Sequence, residues 1–171
     1  MRAICLVLGL VLLPTLAVAE DLLPTLTREV RRCAAAWQRG DYERILAYLP
    51  PQVLQRSGGP AAWRREIKEQ FAQVRASGVE SFEAVPGRPA NPKPIGHWLV
   101  SLIPLTAVLH HAHLDLTQST QVLGLSVDQG KHWYFVPLYQ ISQAELNAWL
   151  PELAGRVVVP LDPAPRLELV Y

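Results

Sequence analysis

The densest group of chemically capable side chains in this sequence is His110-His111-Ala112-His113-Leu114-Asp115. In an extended backbone His111, His113 and Asp115 fall on one side at period two. Two imidazoles and a carboxylate are a donor set for Zn²⁺ with an open coordination position. The same residues also read as the polar connection between two long strands, because apolar strand pattern ends near Leu109 and resumes near Val122. The connection is the reading adopted, so no metal ligand and no cofactor is assigned. His97 and His132 are expected at strand ends on the surface.

A second pattern, Ser126-Val127-Asp128-Gln129-Gly130-Lys131-His132-Trp133, resembles the Asp-box hairpin of sialidase-type propellers, with His132 where Thr is usual. Its chemistry is structural: Asp accepts backbone N–H bonds across the turn, Gly supplies an unusual backbone angle and Trp packs beneath. Propellers repeat such a unit several times and this chain has one, which excludes a glycosidase of that architecture.

Acid–base chemistry in a pocket needs a carboxylate or His with a shifted pKa among apolar walls. The strand-like stretches 97–109, 117–127 and 132–139 contain no Asp or Glu. Asp115 and Asp128 fall at expected turns, and Asp41 suits a helix N-cap. Cys33 occupies an apolar position of a helical pattern with no partner nearby in sequence, so it reads as a small buried hydrophobe. No catalytic residue is assigned, so the residues lean away from an enzyme without deciding the question.

These side chains are carried by a helical first half and a strand-like second half. Leu26, Val30, Cys33 and Trp37 recur at helical spacing up to Gly40, and Asp41 caps a shorter helix with Tyr42, Ile45, Leu46 and Leu49 that Pro50-Pro51 closes. After Ser57-Gly58-Gly59-Pro60, a third helix sets Trp63, Ile67, Phe71 and Val74 on one face and ends at Gly78. The period then changes. Residues 79–85 alternate weakly, and 86–94, with four prolines, must be a loop. Strands follow over 97–109, 117–127 and 132–139, with Pro104 a bulge or edge position. Ser142 caps a last helix over 143–150. Three helices covering one face of a curved antiparallel sheet define an α+β class in one domain.

The first nineteen residues differ from the rest. Arg2, the apolar run 3–13 and Ala17-Val18-Ala19 together predict a signal peptide cleaved before Glu20, and the run is short for a membrane span. The expected organisation is therefore a leader over 1–19, a domain over 20–160 and a tail over 161–171. The tail's Arg166 to Tyr171 alternates and can add as an edge strand in cis or across a dimer, or equally stay disordered. Removing 19 of 171 residues leaves 152, and the loss of Arg2 takes Lys+Arg from 16 to 15 against 15 Asp+Glu. A net charge of zero excludes a strongly basic nucleic-acid binder and a polybasic membrane adaptor. Cys33 is then the lone thiol of the exported chain, so the fold rests on its core rather than on disulfides.

Ala36-Trp37-Gln38-Arg39-Gly40-Asp41-Tyr42, then Tyr48-Leu49-Pro50, then Ser57-Gly58-Gly59, resemble the helical start of the NTF2-like superfamily. The likeness is greatest to small exported bacterial members, whose later strands carry a hairpin like 126–133, and it spans roughly residues 26–160. It implies a cone-shaped α+β domain with an internal cavity, serving as enzyme, ligand binder or interaction module, often as a homodimer. On this resemblance, Trp98, Val100, Leu102 and Tyr134 would line the cavity and bind a small apolar ligand, although a slip of one residue exchanges the two strand faces. A partner protein is a further expected occupant. The alternative is an isomerase- or cyclase-type enzyme of the same fold using an acid–base residue in the cavity.

Overall fold

The computed structural model describes residues 18–139, 141–161 and 166–169. The expected leader up to residue 17 lies outside the described residues, and the expected cleavage point falls in the first turn of helix α1 (Val18–Arg39). Along α1 the stripe Leu26, Val30, Cys33 and Ala36 is buried. The helix stops at Gly40, whose φ of 64° is left-handed. Asp41 then caps α2 (Tyr42–Ala47), its Oδ1 accepting from the Arg44 N–H at 3.2 Å.

Pro50-Pro51 does not end the helical region. Pro51 opens α3 (Pro51–Arg56), because a proline in the first helical turn forfeits only an N–H that has no intrahelical partner. Gly58, at φ 97°, turns the chain into α4 (Gly59–Ala76). Four helices thus precede the sheet where three were expected.

The strands are β1 (Ser81–Pro86), β2 (Lys93–Ile95), β3 (Trp98–His111), β4 (Leu114–Ser126), β5 (Tyr134–Pro137) and β6 (Arg166–Leu169). All pairs are antiparallel, in the order β1-β3-β4-β5. Strand β2 lies beside the start of β3, and β6 pairs in cis with the start of β4. The sheet curls into a half-barrel, which with the helices makes the chain α+β. Pro104 lies inside β3 but interrupts no bond to β4. Its carbonyl accepts from the Gly87 N–H at 2.8 Å, on the edge where β2 has ended and β1 begins. A residue's N–H and C=O share a strand edge, so the missing donor faces that gap.

The layers follow from which alternate residues each strand buries. On one face Ile103, Val122 and Phe135 pack against Leu26, Val30 and Cys33 of α1. On the other, Trp98, Val100, Leu123, Leu125 and Val136 pack against Val53 of α3, Leu146 of α5 (Gln143–Trp149) and Leu150 at its C-terminal cap. Helices therefore cover both faces at this end of the sheet rather than one. Tyr48 marks the edge of β5, its carbonyl accepting from the Phe135 N–H at 2.7 Å. The last helix carries a capping box, with Ser142 accepting from the Glu145 N–H and Glu145 accepting from the Ser142 N–H. Among the described residues no helix is long and apolar enough to cross a membrane.

Candidate functional site

Between α1, α2 and α4 on one side and the sheet on the other, side chains leave a cavity of about 390 Å³. The sheet wall comes from alternate residues: Leu105, Ala107 and Leu109 of β3 stand over Gln118, Thr120 and Val122 of β4. The register pairs two of these directly: Leu105 faces Thr120, and Ala107 faces Gln118. Phe82 and Ala84 of β1 extend this wall, and Phe135 closes it on the β5 side. Val30, Trp37, Ile45 and Phe71 of the helices, with Leu49 between α2 and α3, form the opposite wall. The rim carries the exposed residues Arg75 and Glu80.

Trp98, Val100, Leu102 and Tyr134, expected to line the cavity, do not. Trp98 and Val100 are 3% and 6% exposed in the core cluster on the opposite face, and Leu102 and Tyr134 pack against that cluster. They are brought together, but one register position away from the lining. Both alternating sets of β3 are apolar, because the strand is covered on both faces near its start, and sequence alternation then carries no direction.

The polar groups of the lining are uneven in what they can offer. Gln38 reaches the Ala84 carbonyl at 3.4 Å and ties α1 to β1. Thr120 and Gln70 are engaged within the protein. The Gln118 side chain makes no hydrogen bond with any described residue, so its amide presents two donors and an acceptor to the cavity. Burial pushes the Cys33 thiol up to about 12, so it stays protonated and is no nucleophile at neutral pH. Tyr48 is raised to about 12 by burial, and by the charge of Glu29 and the hydrogen bond to it. Its hydroxyl donates to Glu29 Oε2 at 3.1 Å. Tyr139 is raised by burial as well. Its side chain borders the cavity and is 37% accessible. Every shift runs toward the neutral form.

The other clusters resolve into structure. Strand β3 runs through His110 and His111, and β4 begins at Leu114, so the expected connection shrinks to Ala112-His113. His111, His113 and Asp115 are not gathered: the Asp115 carboxylate is held by His110 Nδ1 at 2.8 Å. Among the described residues no three His, Cys, Asp or Glu side chains could hold a metal ion. The 126–133 turn supports itself. Asp128 Oδ1 accepts from the His132 N–H at 2.9 Å and from the Ser126 hydroxyl at 2.9 Å, and Gly130 donates to Ser126 Oγ at 2.9 Å. Gln129 and Gly130 take positive φ, and Trp133 is buried beneath. Burial raises the Asp128 pKa, but the His132 N–H and ring and the Ser126 hydroxyl outweigh it and hold the carboxyl at about 2. His97 and His132 are exposed, paired with Glu152 and Asp128.

Compared with protein-family models, with curated proteins and with solved structures, the chain gives no match.

Proposed function

We infer that the chain is an exported, NTF2-like protein whose cavity binds, without catalysis, a small apolar molecule bearing one hydrogen-bonding group. The observation that carries this reading is the composition of the 390 Å³ space: walls that are mostly apolar, with the Gln118 amide as an unengaged polar group and the charged Arg75 and Glu80 at the rim. A ligand would gain burial of its apolar body, about 25 cal/mol per Å², and orientation from Gln118. The helices over a curled sheet and the Ala36-to-Gly59 pattern support the NTF2-like assignment. The leader pattern supports export, with the mature chain starting at Glu20.

The enzyme alternative requires a carboxylate or imidazole facing the cavity beside a hydrogen-bond donor. The lining's carboxylate, Glu80, is exposed at the rim with no side-chain hydrogen bond among the described residues, and Glu29, which holds the Tyr48 hydroxyl, is outside the lining. Glu29 is occupied by Arg28, Arg32 and the Tyr48 hydroxyl, which leaves that hydroxyl's proton directed away from a ligand. Native mass spectrometry of the protein from its own host compartment tests the reading. A bound apolar species of a few hundred daltons, lost on Ala107→Trp substitution, is expected. A ligand-free spectrum, or an adduct that the substitution leaves in place, would refute it.

A further inference from the structure

A second concavity, of about 660 Å³, runs along the outer side of α1. Arg28, Arg31, Arg32 and Arg39 line it from α1, Arg44 from α2 and Arg88 from the β1–β2 loop. On α1 these positions recur with Ala35 at helical spacing, forming a continuous stripe opposite the buried Leu26-Val30-Cys33 face. Leu23, Pro24 and Pro89 supply an apolar end.

The described carboxylates around this groove do not neutralise it. Glu29 bonds Arg28 at 3.2 Å and Arg32 at 2.9 Å, one charge against two. Asp41 caps α2, and Glu43 is held by Arg64 at 2.7 Å. Arg31, Arg39, Arg44 and Arg88 have no side-chain ion pair or hydrogen bond among the described residues. A chain with so little net charge thus concentrates six guanidiniums around one concave surface. Such a placement focuses a positive potential into the groove.

We propose that this arginine groove binds a soluble small molecule carrying a multiply charged phosphate group, independently of the internal cavity. Every cation lining it is Arg and none is Lys, and the guanidinium fork matches phosphate oxygens two at a time. Four unpaired guanidiniums call for several negative charges on one compact group, which a diphosphate supplies and a single carboxylate does not. The concave shape accepts an inserted group and disfavours a flat membrane surface.

Isothermal titration with inorganic pyrophosphate tests this. Saturable binding that weakens steeply with added salt is expected. The Arg31→Gln/Arg88→Gln double variant should bind at least about tenfold more weakly. Both residues are exposed, so its ligand-free melting temperature should equal that of the unaltered protein, and Lys131→Gln should bind as the unaltered protein does. No binding, undiminished binding by the double variant, or equal affinity for citrate would overturn the proposal. So would capture by phosphatidylglycerol vesicles that pyrophosphate fails to displace.

Discussion

The Tyr48 hydroxyl donates to the Glu29 carboxylate at 3.1 Å, while its ring lines the cavity and lies 5.6 Å from Phe135. One side chain thereby joins the inner wall to the outer charged face of α1. The aromatic part serves the cavity and the polar part is engaged elsewhere. Tyr48→Phe keeps the ring and removes the bond. It should cost about 1 kcal/mol of stability by urea denaturation and leave ligand binding intact. A loss of binding with unchanged stability would show that the hydroxyl serves the ligand instead.

Asp128 makes stability depend on acid. Its carboxyl is held at about 2 in the folded chain against an ordinary 3.8. Between those values the unfolded chain binds more protons than the folded one, so stability rises with pH across that window. The contribution is complete above about 3.8 and is lost as pH falls through about 2. Discounted for partial exposure, it amounts to about 1 kcal/mol. Asp128→Asn should be less stable than the unaltered protein at neutral pH by that amount, with the gap closing toward pH 2. A gap independent of pH would contradict this.

The two faces of the sheet should respond differently to substitution. Leu123 is fully buried in the cluster with Trp98 and Val100. Leu123→Ala should cost about 3 kcal/mol and leave cavity binding unchanged at temperatures where the variant is folded. Ala107→Trp, on the lining, should fill the space with a smaller effect on stability. Equal effects of both on binding would mean that the faces do not divide the labour.

Edman sequencing of the protein recovered from its host should begin at Glu20-Asp21-Leu22. Recovery of the chain with Met1 intact would remove the basis for export.

Much of the framework was readable because short-range physics sets it. The Leu26-Val30-Cys33 stripe, the Asp41 and Ser142 caps, the Gly40 stop and the 126–133 turn each depend on residues within a few positions of one another. Helix α3 escaped because Pro50-Pro51 satisfies the rule for ending a helix and equally the rule for starting one. The reach of β3 and β4 escaped because strand pairing carried His110 and Asp115 into the ladder despite their polarity. Which face holds the cavity depends on a single register step between Trp98-Val100-Leu102 and Leu105-Ala107-Leu109. Only the packing of distant helices decides that. The arginine groove combines residues from α1, α2 and a loop, and linear sequence shows its parts without their adjacency.

The central claim, an apolar cavity that binds a ligand between α1 and the concave sheet face, is most directly tested by titrating a neutral naphthylamine dye into purified protein. Saturable fluorescence enhancement that is abolished by Ala107→Trp and retained by Leu102→Ala is predicted. Enhancement that survives Ala107→Trp, or that is lost with Leu102→Ala in a folded protein, would contradict it.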